Sequence, residues 1–210
     1  GDPVLAEATL KWWRDTSYYA TSPWRGTRAA EGGGALINQG IHVVDLLLWL
    51  AGPVEDVSGL VATRVHKIEM EDTASAVLRF ASGAIGVIVA STATWPGFPE
   101  RLELHGTGGS IVLNEGAGTI HWRLRGEEPR TTSNDGPAAS GSSDPNAISL
   151  AGHTAQFADF YEAIRERRQP LVSGEEATRA LELVQAIRIA SARKTVVSLP
   201  LSDHDAAELP

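Results

Sequence analysis

The spacing of apolar and polar positions changes along the chain, and each change predicts an element. Residues 4–13 alternate: Val4, Ala6, Ala8 and Leu10 fall on one side, and Leu5, Glu7, Thr9 and Lys11 on the other. A period of two predicts a strand. Residues 32–53 are apolar nearly all round, with Leu36, Ile37, Ile41, Val43, Val44, Leu46, Leu47, Leu48 and Leu50. They read as one helix, closed by Gly52 and followed by Pro53, which cannot continue it. A helix with no wide wet face is predicted to lie buried inside a domain. It is too short, and too interrupted by polar groups, to span a bilayer.

The period then returns to two. Residues 54–66, 71–80 and 84–94 are strand candidates, the last two joined by the tight turn Ala81-Ser82-Gly83. Residues 101–105, 110–114 and 119–125 follow with glycine-rich turns between them. Short turns between neighbours predict antiparallel pairing and a meander of at least five strands. Residues 126–150 are polar and read as a mobile surface loop. Residues 153–168 form an amphipathic helix with the stripe Phe157, Phe160, Tyr161 and Ile164, ended by Pro170. Ser173 and Glu176 have capping-box spacing and open a second helix over 175–193. Residues 196–199 are a last short strand. One domain over 1–200 is expected, with a frayed acidic tail over 201–210.

Within the apolar helix, Asn38, His42, Asp45 and Trp49 follow spacings of four, three and four, which puts them in one line. A buried polar line must meet partners or a ligand. Two readings stand: a satisfied core histidine whose tautomer Asp45 fixes, or a polar edge presented to a ligand. The cluster Trp12, Trp13, Arg14, Tyr18, Tyr19, Trp24 and Arg25 also has two readings, a packed loop covering the core or a surface on which a ring stacks. In residues 84–90 both strand faces are apolar or small. The helices cover one sheet face, and a second subunit is expected to cover the other.

Composition narrows the classes. The chain has 210 residues, 42% hydrophobic and 21% charged, as in an ordinary soluble globular protein. A net charge of −8 argues against nucleic acid as the main partner. Without cysteine there are no disulfides, thiolate metal sites or cysteine nucleophiles. No signal peptide or membrane span is visible, so no membrane partner and a cytoplasmic location are expected. Gly32-Gly33-Gly34 lacks the glycine that a dinucleotide fingerprint needs at position 37, and Gly106-Thr107-Gly108 lacks one at 111. His42 and Asp45 alone do not make a metal site, and no Gly-x-Ser-x-Gly elbow occurs.

Several motifs do carry a resemblance. They are Trp24-Arg25-Gly26; the block Gly32-Gly33-Gly34-Ala35-Leu36-Ile37-Asn38-Gln39-Gly40-Ile41-His42-Val43-Val44-Asp45; Leu48-Trp49-Leu50-Ala51-Gly52; and His105-Gly106-Thr107-Gly108-Gly109. Phe157-x-x-Phe160-x-x-Ala163-Ile164 with Arg168-Gln169-Pro170, and an ending through Ala180-Leu181-Glu182, Ser191-Ala192 and Val197-x-Leu199-Pro200, continue it. Over nearly the whole chain the sequence resembles the C-terminal domain of the Gfo/Idh/MocA oxidoreductases, the family of glucose–fructose oxidoreductase and inositol dehydrogenase.

The resemblance implies an α+β fold: an open, mostly antiparallel sheet with helices on one face, like the C-terminal domain of glyceraldehyde-3-phosphate dehydrogenase. It implies NAD or NADP, bound mainly by an N-terminal Rossmann domain whose Glu-Lys-Pro lysine reaches the substrate; this chain contains neither. His42 matches the acid–base histidine acting on a hydroxyl of a sugar, polyol or cyclitol, chemistry that suits an imidazole. Asn38, Trp24, Arg25, His153 and Arg14 are the expected substrate contacts, with Asp45 behind His42. Asn38 stands where family members often carry aspartate; it binds hydroxyls but is no base. The chain alone is expected to be inactive, and to form a homodimer or homotetramer through its sheet face. The rival reading is a non-catalytic sugar-binding or assembly domain in which His42 only binds.

Overall fold

A computed structural model describes residues 1–114, 118–133 and 150–207. Among the described residues, nine strands form one sheet: β1 (Pro3–Lys11), β2 (Val54–Ala62), β3 (Thr73–Phe80), β4 (Ile85–Ser91), β5 (Arg101–Gly106), β6 (Gly109–Asn114), β7 (Thr119–Leu124), β8 (Arg130–Ser133) and β9 (Val197–Ser198). Their order is β8-β7-β6-β5-β1-β4-β3-β2-β9. The expected meander is therefore divided. Consecutive strands pair antiparallel within β2–β3–β4 and within β5–β6–β7–β8. β1 lies between the two runs, parallel to β4 and antiparallel to β5. In the β3–β4 turn the N–H of Gly83 donates to the Phe80 carbonyl at 2.8 Å. Gly83 has φ of 84°, a left-handed turn position that favours glycine.

The helices are α1 (Thr16–Ala20), α2 (Arg28–Glu31), α3 (Ala35–Asn38), α4 (Ile41–Ala51), α5 (Ala151–Glu166), α6 (Gly174–Arg193) and α7 (Asp203–Ala207). The core lies between one sheet face and α4 and α6. Ala8, Leu10, Leu78, Phe80, Ile88 and Ala90 point inward from the strands, against Val44, Leu47, Val184 and Ile187. The period-two strands thus bury the sides their patterns predict, and α6 buries Ala180, Val184, Ile187 and Ala190 while Leu181 stays exposed. The capping box holds: the Ser173 hydroxyl accepts the N–H of Glu176, and the Glu176 carboxylate accepts that of Ser173.

Five expectations need correction. The 32–53 helix is two helices, with the axis turning by 51° between 28–38 and 41–51. At the break the N–H of Gly40 donates to the Ala35 carbonyl at 2.7 Å, and a Cβ on Gly40 would crowd that same oxygen at 2.9 Å. Nor is α4 buried all round, because only Val43, Val44 and Leu47 are buried. The α5 stripe covers nothing: Phe157 is 75% exposed and Ile164 65%, and among the described side chains of α5 only Ala163 is buried. The expected loop over 126–150 contains β8; residues 134–149 lie outside the described residues. The tail is not frayed over 203–207. The Asp205 carboxylate accepts the Ser202 hydroxyl at 2.5 Å and pairs with Arg193 at 2.6 Å. The Ser202 bond, with Arg193, draws its pKa down to about 2.

Candidate active site

The site is built where β1 ends and the glycine turn begins. Gly34 is a glycine by necessity, since a Cβ there would lie 1.9 Å from the Glu71 carbonyl oxygen. That closeness lets the Ala35 N–H donate to the same oxygen at 2.8 Å and sets the direction of α3. α3 ends at Asn38, the chain turns at Gly40, and His42 stands in the first turn of α4.

His42 is exposed, so the core-histidine reading falls. Trp49, two turns along the same line, is 72% exposed. Asp45 lies between them, half-buried. Burial raises its pKa, Glu176 raises it further, and the nearby charge of His42 opposes them. Asp45 therefore feels His42 through space, one turn away on the same helix. A groove of about 870 Å³ opens beside Asp45 and Trp49, between α4 and α6 and over Leu171 and Val172.

Asn38 is half-buried, and its amide donates to the Glu31 carboxylate, whose other oxygen accepts the N–H of Gly26. Next to it, Gln39 donates to the Tyr18 hydroxyl at 3.0 Å, and Arg25 donates to the same oxygen at 2.5 Å. The Arg25 guanidinium lies 4.2 Å from the Tyr18 ring centre and 4.6 Å from that of Trp24, which is 43% exposed. Trp24, Arg25 and Gln39 are thus brought into one cluster around Tyr18, while Asn38, next to Gln39, is tied instead to Glu31. The sequence reading did not single out Glu31 or Gln39, and placed Tyr18 only in the aromatic cluster. No local spacing links Tyr18 to a residue 21 positions on.

One expected contact is not brought to this surface. Arg14 is 3% exposed, lies over the rings of Trp12 and Tyr18, and donates to the Trp13 carbonyl at 2.9 Å. Its role is to hold the aromatic cluster from within. His153 is exposed on α5, and no described hydrogen bond or ring contact links it to the Tyr18 cluster. Asp72, unremarked in sequence, closes the loop between β2 and β3. Burial pushes its carboxyl up. Backbone N–H groups of His66, Val65 and Arg64, at 2.8–2.9 Å, outweigh burial and hold it below its usual value.

The described residues do not form a dinucleotide cradle. Their one parallel strand pair, β1–β4, has no glycine-fingerprint turn leading from a strand into a helix. Among them, no group of three or more His, Asp or Glu side chains is placed to hold a metal ion. No single helix of the described residues is long and apolar enough to cross a membrane. What the arrangement offers is an exposed imidazole on α4, an amide at the end of α3, and a tyrosine hydroxyl with a stacked guanidinium in the cluster around Tyr18.

The C-terminal domain family of GFO/IDH/MocA proteins matches residues 1–112. Myo-inositol 2-dehydrogenase of Thermotoga maritima is 38% identical over 87 residues, 39% of this chain and 26% of that protein. Levoglucosan dehydrogenase of Pseudarthrobacter phenanthrenivorans is 28% identical over 127 residues, 48% of this chain and 33% of that protein. Among solved structures, the WlbA dehydrogenase of Bordetella pertussis, in complex with NADH and UDP-GlcNAcA, matches 96% of this chain and 56% of its own. The TM-score is 0.80 and the identity 28%. A levoglucosan dehydrogenase in complex with NADH, at TM-score 0.81 and 22% identity, shares the fold over 96% of this chain and 60% of its own. The chain thus spans a third or less of those curated relatives and under two thirds of these solved ones.

Proposed function

The chain belongs to the GFO/IDH/MocA family, and from this premise we propose that it is the substrate-binding C-terminal half of an NAD(P)-dependent dehydrogenase acting on a hydroxyl of a sugar, polyol or cyclitol. The observation that carries the reading is the exposure of His42. A buried histidine serves packing, whereas an exposed one at a helix start, beside hydroxyl-binding groups, is free to exchange a proton with a ligand.

In this reading His42 takes the proton of the reacting hydroxyl, and the charge of Asp45 stabilises the resulting imidazolium. Asn38 and the Tyr18–Arg25 pair bind neighbouring hydroxyls, while the Trp24 face receives the apolar side of the ring. NAD or NADP is the hydride carrier and is held outside this chain, by a Rossmann domain preceding it. The exposed stripe of α5 and the groove beside Trp49 are the apolar surface left for that domain.

The test is turnover. The full-length protein, given either cofactor and a panel of sugars, polyols and cyclitols, is expected to reduce the cofactor with at least one of them. Residues 1–210 alone are expected to show neither turnover nor tight NADH binding by calorimetry. Saturable sugar binding by the full-length protein without turnover on any substrate would replace this reading with a binding or assembly domain.

The proposal extends to assembly. On the sheet face away from α4 and α6, Val77 and Ile85 are 55% exposed and Leu60 70%, with Val87 half-buried between them. A second copy packed face to face about a two-fold axis removes this surface from water. The family resemblance points the same way, since its C-terminal sheets commonly form dimer contacts. Light scattering is expected to give at least a dimer mass, and Val87→Lys to lower it towards the monomer. A wild-type monomer, or a Val87→Lys mass equal to wild type, rejects the sheet-face contact.

A further inference from the structure

Behind the site lies a buried ion pair that no step of the proposed chemistry uses. Arg188, on α6, and Glu71, just before β3, are 7% and 5% exposed, with Nη2 and Oε2 2.9 Å apart. A pair this dry adds little net stability over well-packed apolar residues, because desolvating two charges offsets their attraction. Its other contacts are more telling. Nη1 of the same guanidinium donates to the Gly32 carbonyl at 3.0 Å. The second oxygen of Glu71 accepts the N–H of Leu36 at 3.2 Å, and its main-chain carbonyl accepts that of Ala35. The pair therefore grips both sides of the glycine turn: a carbonyl before it and the first N–H groups of α3 after it.

We propose that Arg188 is a positioning residue: acting through Glu71, it fixes the glycine turn and so sets where Asn38 and His42 stand relative to the sheet. The proposal rests on the reading of His42 as the acid–base group. The path is short and stiff. α3 has four residues and ends at Asn38, with His42 four residues further on. Tyr18 and Glu31 hold its far end through Gln39 and Asn38. α3 is thus held at both ends, and the hold nearer the core comes from α6, an element without a proposed substrate contact. A displacement of about 1 Å at a reacting group costs on the order of 10²-fold in rate.

Two variants of the full-length protein separate positioning from plain stability. Arg188→Lys keeps a charge beside Glu71, but an ammonium group lacks the planar fork that holds the carboxylate and the Gly32 carbonyl together. Arg188→Met combined with Glu71→Gln leaves no buried charge uncompensated. In both, kcat is expected to fall about tenfold or more with a smaller change in KM, even where the melting temperature stays near wild type. The Ala35 and Leu36 amides are expected to exchange roughly tenfold faster, and those of β3 and β4 at the wild-type rate. Wild-type turnover in both variants, a loss of turnover that merely tracks lost melting temperature, or unchanged exchange at Ala35 and Leu36 overturns the proposal. Exchange needs no turnover. A wild-type protein without dehydrogenase activity would thus sink the acid–base reading, while the exchange rates still decide whether Arg188 holds the turn.

Discussion

On the proposed acid–base reading, His42→Ala in the full-length protein is expected to lower turnover by roughly 10²–10⁴-fold, the usual worth of a positioned acid–base group. The same change leaves the fold standing. His42 is exposed, so truncation opens no cavity, and no described hydrogen bond of the site runs through its ring. The melting temperature is therefore expected to stay within a few degrees of wild type, as for surface substitutions generally. The combination separates chemistry from structure: steady-state kinetics register a large loss where a thermal melt registers almost none. Turnover within a few-fold of wild type would show that another group takes the proton and that His42 serves at most in binding.

Gly34→Ala is expected to be among the most damaging single-methyl additions in the chain. The new Cβ would meet the Glu71 carbonyl oxygen at 1.9 Å and the Glu71 N and C at 2.8 Å. These are main-chain atoms at the entry to β3, and they cannot swing aside as a side chain can. Relief requires moving the turn or the strand, which breaks the Ala35 N–H bond to that carbonyl and disturbs the Glu71–Arg188 pair. Overpacking alone costs about 1–3 kcal/mol, and the lost buried hydrogen bond adds about 1 kcal/mol or more. A urea melt is expected to show a loss of about 3 kcal/mol. Gly152→Ala is the control: nothing lies within 4 Å of its added Cβ, and its helical setting favours alanine. Equal stability of the two variants would mean that the glycine turn is not the close-packed joint described above.

The strands were legible because each buries one face, so alternation and burial coincide; residues 73–80 and 85–91 read almost as they fold. The capping box and the Gly83 turn were legible because their chemistry is local. The partners of β1 were not. Nothing in its alternation distinguishes a parallel neighbour far along the chain from an antiparallel one. The 32–53 helix was misread for a physical reason too: apolar residues all round predicted burial, yet Trp49 and Leu50 face outward. The α5 stripe shows the same limit, since an amphipathic pattern demands a cover without saying which chain supplies it. In the site, the 42–45–49 spacing on α4 was visible in the sequence, but the break at Gly40 puts Asn38 on a separate helix, and the meeting of Tyr18, Arg25 and Gln39 depends on side chains crossing between separate turns. Arg14 belonged to the right cluster but faces inward, and no residue spacing fixes that.

The placement of β1 bears on how the molecule assembles. Leaving aside the pairings made by β1 and the two-residue β9, the described strands bond only to their neighbours in the chain, so β2–β4 and β5–β8 are each hairpin-built units suited to short-range closure. They share no hydrogen-bonded edge until β1 enters between them, pairing Leu5 with both Ile85 and His105. Both contacts close long loops, which costs chain entropy before the pairing returns anything, and this makes insertion of β1 the natural slow step. Until that step two sheet edges stand open, each able to recruit a strand from another chain. By this argument β1 is expected to join the two halves late, and a peptide carrying residues 3–11 is expected to bind a chain that lacks them.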